Sequence, residues 1–127
     1  MNKGAHVLLV SCDQMLLQTR ALILGAYFQV QSAGRVTEAE AAMAKTAFDL
    51  VVLCYSLSDG EYSRLAELCG GRTPALRILT LRATANGNPR PGDGEYTVEN
   101  GPYGLLKTTA EMIGFPLKST SRTSTQT

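Results

Sequence analysis

Apolar runs bounded by polar residues mark the predicted strands. His6–Val10 and Leu50–Leu53 are almost wholly apolar, which is typical of strands buried on both faces of a parallel sheet. Residues 76–81 form a similar run, whereas residues 27–32 and 96–98 are more polar or shorter and predict weaker strands. Because Leu50–Leu53 is the most hydrophobic run, we predict that it is the central strand.

Four segments of helical period separate these strands or follow the last of them. Asp13 stands where a helix N-cap is expected, and Thr37 followed by Glu40 has the spacing of a capping box. Asp59 lies in a turn that begins the third helix, and Pro102 suits the first position of the last one. The helix positions predicted to face the core are Leu17, Ala21, Leu24, Ala39, Ala42, Met43, Leu65, Leu68, Cys69, Leu105, Leu106 and Ile113.

The segment between the fourth and fifth predicted strands breaks the alternation. Residues 84–94 contain an Asn-Gly pair, two prolines and several glycines, so no part of the segment can sustain two helical turns. We therefore expect the crossover helix between these two strands, the fourth helix of the chain, to be reduced or missing. Residues 115–127 are rich in Ser and Thr and bury too little apolar surface to fold, so the predicted domain spans residues 1–114 and the tail is expected to be disordered.

Strands that alternate with helices predict right-handed crossovers and a parallel sheet covered on both sides. The expected fold class is α/β, a doubly wound five-stranded parallel sheet. In such folds the functional crevice lies at the carboxyl ends of the strands, so the residues directly after each strand are the first candidates for a site. They include Ser11, Cys12 and Asp13 after the first strand and Cys54 after the third.

Composition narrows the range of functions that the chain can have. The chain has 127 residues with 12 Lys+Arg against 11 Asp+Glu, so no basic field predicts binding to nucleic acid or to a membrane. A single histidine, His6, cannot build a multi-histidine zinc site, and we interpret it as a strand-edge residue. Three cysteines without CxxC spacing favour a reducing compartment, and no segment resembles a signal peptide or a membrane span, so we expect a cytoplasmic protein.

The sequence resembles the receiver domain of bacterial response regulators in two stretches, HVLLVSCDQMLLQTRALILGAYFQVQSAGRVTEAEAAMA and FDLVVLCYSLSDGEYSRLAEL. The most specific part is FDLVVL, followed by a polar pair and a Leu-x-Asp-Gly turn. The resemblance covers residues 5–114 and is strongest up to residue 68. It implies a flavodoxin-like (CheY-like) fold, transfer of a phosphoryl group from a histidine kinase to an aspartate, and a bound magnesium ion.

The positions that carry the receiver's acidic chemistry hold other residue types in this chain. The resemblance places the magnesium-binding acidic pair at Ser11 and Cys12, with Asp13 as the carboxylate one residue further on, and the phosphoryl acceptor at Cys54. A phosphoryl acceptor of this kind has to be a carboxylate, and magnesium needs oxygen ligands. The acidic part of the phosphorylation set is therefore expected to be lost.

The remaining positions of the set have changed as well. The resemblance places the hydroxyl position at Arg82, or at Thr80 if the register slips, and the lysine position at Gly101. We interpret Thr80 as an ordinary strand residue. Arg82 is expected to be solvated, although an arginine at the mouth of the pocket also suits an anion.

The resemblance thus predicts a degenerate receiver, or pseudoreceiver, of the two-component (phosphorelay) family. Such a module is not an enzyme and acts by protein contact without aspartyl phosphorylation. Magnesium binding is expected to be lost or weak, and no other cofactor is predicted. The partner stays open among a kinase, an output domain, another regulator and a second copy of the chain.

Three alternatives stay open. One is a small α/β enzyme or ligand carrier that uses Cys54 as a nucleophile, although no histidine base is expected near the crevice at the strand ends. A phospho-accepting receiver would use a non-standard site such as Asp13, although we expect this residue to cap a helix. A thiol-based redox switch would use Cys12 and Cys54, which the fold brings to the ends of neighbouring strands. We expect both thiols to be small buried residues in the former acidic pocket, because no Lys, Arg or His is close in sequence to lower a thiol pKa.

Overall fold

The computed structural model describes residues 5–71, 76–84, 90, 92–98 and 101–114. The strands are β1 (His6–Val10), β2 (Gln29–Ala33), β3 (Leu50–Leu53), β4 (Ile78–Arg82) and β5 (Gly94–Thr97). The helices are α1 (Gln14–Gly25), α2 (Val36–Lys45), α3 (Asp59–Gly70) and α4 (Pro102–Ile113). All strand pairs are parallel, in the order β2-β1-β3-β4-β5, so the predicted α/β fold is confirmed with β3 at the centre.

Two apolar layers cover the sheet. Side chains alternate along a strand, so Val7 and Leu9 face α1 and α4, whereas Leu8 and Val10 face α2 and α3. Every residue of β3 is fully buried, as its unbroken hydrophobic run predicts. Most of the predicted inward positions are buried; the half-buried ones are Ala21, Leu68, Leu106 and Ile113.

The first turns of the helices agree with the sequence in one case and differ in another. Asp13 caps α1 as predicted, since its Oδ1 accepts a hydrogen bond from Leu16 N at 3.1 Å. The predicted capping box of Thr37 and Glu40 is wrong, because α2 begins at residue 36 and Thr37 already lies inside it. The N-cap residue is Arg35, whose side chain makes no capping hydrogen bond, and Glu38 accepts a hydrogen bond from Gly34 N, one residue before the cap, at 2.8 Å.

The connection from β4 to β5 contains no helical residue among its described positions, 83, 84, 90, 92 and 93. This agrees with the predicted reduction of a helix there, while residues 85–89 and 91, like the predicted tail 115–127, lie outside the described residues. Each described helix has 10 to 12 residues, and none is long and apolar enough to cross a membrane.

Strand β5 begins two residues earlier than the sequence pattern predicted. It starts at Gly94, where a Cβ atom would stand only 2.7 Å from Met112 Sδ of α4. A larger residue at this position would have to push the flexible end of the Met112 side chain aside, so the glycine suits the close packing of α4 on the sheet. The same glycine has little strand propensity, which is why the pattern alone placed the strand at residues 96–98.

Candidate functional site

The carboxyl ends of β1 and β3 meet at one edge of the sheet and bring the predicted site residues together. Val10 and Leu53, the last residues of the two strands, are paired in register. Cys54 N then donates to Val10 O at 3.1 Å, which continues the pairing one step beyond β3. Ser11 and Cys54 both follow directly after these strands, and both are fully buried.

Two serine hydroxyls form the polar centre of this edge. The hydroxyl groups of Ser11 and Ser56 share a hydrogen bond at 3.1 Å. Ser56 Oγ also accepts from Cys12 N at 2.9 Å, and Ser11 Oγ accepts from Asp13 N at 3.2 Å. The hydroxyls thus satisfy backbone groups of the loop after β1, which fixes the loop against the β3–α3 turn.

Arg20 is the residue that the sequence analysis missed. It lies on α1 between Leu17 and Leu24 and shares their buried face, with only 6% of its surface exposed. Its Nη1 donates to Cys54 Sγ at 2.9 Å, and its guanidinium lies 5.5 Å from the ring centroid of Tyr55. The signal that could have found it is the spacing of 17, 20 and 24, which places a cation on the apolar face of a helix.

The contact with Arg20 corrects the expectation for the thiol of Cys54. Burial raises the pKa of this thiol, but hydrogen bonding by Ser56 and Ser11 and the charge of Arg20 outweigh burial and leave the pKa below its ordinary value. Ser56 N points at the sulfur from 3.5 Å. Arg20 is 34 residues away in sequence, so a search for cations close to the cysteine along the chain could not reveal it.

Cys12 does not lie in the pocket with Cys54. Its side chain is exposed, contrary to the expectation that both thiols are buried, and its Sγ is 3.6 Å from Glu61 Oε1. Partial burial and the Glu61 carboxylate raise the pKa of the Cys12 thiol. The two cysteines therefore lie in opposite electrostatic environments.

Thr80 and Arg82 contact groups away from Cys54. Thr80 is a buried residue of β4, as predicted, and its hydroxyl shares a short hydrogen bond with Tyr62 of α3. Arg82 is not solvated, since its side chain is 15% exposed and pairs with Glu95 of β5 at 3.2 Å.

Gly101, at the lysine position of the resemblance, precedes α4 with φ at +94° and ψ at 169°. This backbone conformation is adopted almost only by glycine, and it costs about 1–3 kcal/mol for other residues. A lysine at this position would therefore be strained, whatever its side chain contacts.

The Gly101→Lys variant is expected to lower the free energy of unfolding by about 1–3 kcal/mol because of this strain. Urea denaturation measures the loss. Gly70→Lys is the matched control, because Gly70 is exposed, has an ordinary helical backbone and has open space at its Cβ position. Equal stability of the two variants would contradict the strain at Gly101.

The donors at this edge do not suit the magnesium ion that the receiver resemblance implies. Magnesium prefers carboxylate and other hard oxygen ligands in octahedral geometry. The groups around Cys54 are two hydroxyls, thiol sulfur and the guanidinium of Arg20. Across the described part of the chain, no three His, Cys, Asp or Glu side chains converge to hold a metal ion.

Known structures share this fold. No protein-family model and no curated protein sequence matches the chain. Its structure is similar to the chemotaxis response regulator CheY4 of Vibrio cholerae, with a TM-score of 0.74 and 20% identity over 85% of this chain and 98% of that one. A second similar structure is a response regulator receiver protein from Burkholderia phymatum. Its TM-score is 0.76 at 12% identity, covering 89% of this chain and 98% of that one.

A third similar structure is the signal receiver domain of a signal transduction histidine kinase from Syntrophus aciditrophicus. Its TM-score is 0.73 at 16% identity, covering 87% of this chain and 91% of that one. All three have the same parallel architecture at low sequence identity. The chain therefore has the receiver-domain fold of two-component response regulators.

Proposed function

We propose that the chain is a pseudoreceiver, a module of two-component signalling that acts through protein contacts and not through aspartyl phosphorylation. The observation that carries this proposal is the hydrogen bond from Arg20 Nη1 to Cys54 Sγ at the end of the central strand. A phosphoryl acceptor there has to be a carboxylate to form an acyl phosphate. The chain instead has a buried thiol that is held by a cation.

The charge of Arg20 also opposes a metal ion. The guanidinium is buried and fixed between Cys54 and the Tyr55 ring, so it cannot move away at little cost. Two unit positive charges 4 Å apart repel each other by about 4 kcal/mol at an effective dielectric constant of 20, and a divalent ion doubles this. We therefore propose that magnesium binding is lost or weak.

The phospho-accepting and redox alternatives have less support. Asp13 is exposed, and its carboxylate already accepts a hydrogen bond as the cap of α1. A redox switch needs an accessible thiolate, whereas the exposed thiol of Cys12 has a raised pKa and the thiol of Cys54, whose pKa is lowered, is fully buried. These contacts favour a structural role for Asp13 and for the two cysteines.

The partner is proposed to be a protein of a two-component pathway. The same fold occurs as a regulator in the Vibrio protein and as a domain of a histidine kinase in the Syntrophus protein. A kinase, an output domain or another regulator therefore fits as the partner of this chain, with a second copy as the homodimeric case. We also propose that the module is cytoplasmic and is not an enzyme.

Nuclear magnetic resonance of the ¹⁵N-labelled chain tests the proposal. Millimolar magnesium chloride is expected to shift the amide signals of Ser11, Cys54 and Ser56 no more than sodium chloride of equal ionic strength does. Addition of beryllofluoride, which mimics an acyl phosphate, is expected to add no further shift. The same result is expected for Asp13→Asn.

A saturable shift that requires both magnesium and beryllofluoride would overturn the proposal. If the Asp13→Asn variant abolished that shift, the phospho-accepting alternative at Asp13 would hold. If the shift persisted in the variant, phosphoryl chemistry at another group would be established. Neither result is compatible with a pseudoreceiver.

A further inference from the structure

A cavity of about 200 Å³ opens between α1 and α4, beside the carboxyl end of β5. This volume far exceeds the space that one water molecule needs. Its apolar wall includes Ile23 of α1, Val98 after β5 and Leu105 of α4. Arg20 lines the same cavity, and its Nη1 donates to Cys54 Sγ, so one residue borders both Cys54 and the cavity.

Arg20 has donors to spare. A guanidinium carries five N–H donors, and within the described residues only the bond to Cys54 uses one of them. The other polar side chains of the wall are already engaged, since Thr19 Oγ1 donates to Met15 O at 2.9 Å and the Tyr96 hydroxyl donates to Gly101 O. Arg20 is therefore the group of the wall that is best able to bind a ligand.

The charge of the cavity favours an anion. The described lining residues include one cation, Arg20, and no carboxylate. The first turn of α4 begins at the cavity with Pro102 and contains no acidic residue, so its positive dipole end is not neutralised by its own side chains. An anion with an apolar body matches both the cation and the apolar wall.

We propose that this cavity is a binding site for a small organic carboxylate, which pairs with Arg20 and packs its apolar body against Ile23, Val98 and Leu105. The carboxylate accepts hydrogen bonds from Arg20 in the paired geometry that guanidinium and carboxylate favour. Because the same guanidinium holds Cys54, binding changes the environment of the sulfur at the end of β3. This site goes beyond the proposed function, since it supplies a chemical input where phosphorylation is missing.

Benzoate is the probe, with benzamide as its neutral counterpart of equal size. A titration followed by ¹H–¹⁵N spectra is expected to give saturable shifts at the amides of Thr19, Gly101 and Leu105. The amide of Ser56 is expected to shift with them, because it donates to Cys54 Sγ, the atom that also accepts from Arg20. Benzamide is expected to bind at least tenfold more weakly, since it offers no charge to Arg20.

Three variants locate the site. Arg20→Gln is expected to weaken benzoate binding at least tenfold, whereas Arg64→Gln, which removes an exposed arginine paired with Glu40 on another face, leaves it unchanged. Ile23→Trp fills the apolar end without touching the charge and is expected to abolish binding. Ile23→Trp keeps the test decisive if Arg20→Gln does not fold, which thermal unfolding would reveal.

Absence of saturable benzoate shifts would overturn the inference, as would equal binding of benzamide or undiminished binding by Ile23→Trp. Acetate bound as tightly as benzoate would overturn the role of the apolar wall. A shift at Thr19 and Leu105 without one at Ser56 would overturn the link to Cys54. None of these results bears on the magnesium and beryllofluoride experiment, so failure of the carboxylate site is distinguishable from failure of the pseudoreceiver proposal.

Discussion

The Cys54→Ala variant is expected to lower the free energy of unfolding by about 2–3 kcal/mol. It removes the sulfur that accepts hydrogen bonds from Arg20 Nη1 at 2.9 Å and from Ser56 N at 3.5 Å. A buried donor without an acceptor costs about 1–3 kcal/mol, and a charged donor costs more. Urea denaturation followed by circular dichroism measures the loss.

Matched variants separate the hydrogen bonds from the cavity that the smaller side chain leaves. Cys54→Ser keeps an acceptor at the same place and is expected to lose less than Cys54→Ala. Cys69→Ala removes a buried sulfur from α3 and reports the cost of lost packing. Addition of Arg20→Met to Cys54→Ala is expected to recover most of the stability, because it removes the unpaired charge and keeps the apolar stem.

The interpretation fails if Cys54→Ala costs no more than Cys69→Ala. It also fails if Arg20→Met adds its own loss to that of Cys54→Ala, because independent costs would mean that the two residues do not depend on each other. In that case Arg20 would be held by its apolar contacts and by the Tyr55 ring, and its hydrogen bond to the sulfur would contribute little to stability.

The fold was predictable where local pattern and burial agree. The run Leu50–Leu53 is apolar at every position, and only a central strand of a sheet covered on both faces buries all of them. The start of α2 was not predictable in the same way, because Thr37 and Glu40 match a capping box but the chain enters the helix at residue 36. Gly94 concealed the start of β5, since its role depends on Met112 of a distant helix.

The site was predictable in position and only partly in chemistry. The parallel pairing of β1 and β3 brings Ser11 and Cys54 together, as residues after neighbouring strands should be. The contact of Cys54 with Arg20 depends on the reach of a long side chain from two turns into α1, which strand pattern cannot supply. The lack of a Lys, Arg or His close in sequence to the cysteines favoured a pocket without a cation, whereas the structure places Arg20 beside Cys54.

Introduction of two carboxylates is expected to create a magnesium site only when Arg20 is removed as well. The test compares Cys12→Asp/Cys54→Asp with the same pair combined with Arg20→Met. With Arg20 intact, its guanidinium pairs with the carboxylate introduced at position 54, because Arg20 Nη1 lies 2.9 Å from the Cys54 sulfur that this carboxylate replaces. The combined variant frees that carboxylate for a metal ion.

The expected difference in magnesium affinity is large. Repulsion of about 4 kcal/mol for each unit-charge pair at 4 Å predicts that the double variant binds magnesium at least about a hundredfold more weakly than the triple variant. Isothermal titration with magnesium chloride measures both affinities, and beryllofluoride is expected to shift the amide of Ser56 in the triple variant alone. Thermal unfolding establishes that both variants are folded.

Equal magnesium affinity of the two variants would mean that Arg20 does not block the site, and the proposed loss of phosphoryl transfer would then rest on the lack of carboxylates alone. A folded triple variant that binds no magnesium would place the defect in the loop after β1, where Asp13 is held as the cap of α1 and Ser11 is bonded to Ser56. The expected result is instead that magnesium binds well only after Arg20 is removed. That result would support the proposal that the buried guanidinium beside position 54, and not only the lack of carboxylates, opposes a metal ion at this edge.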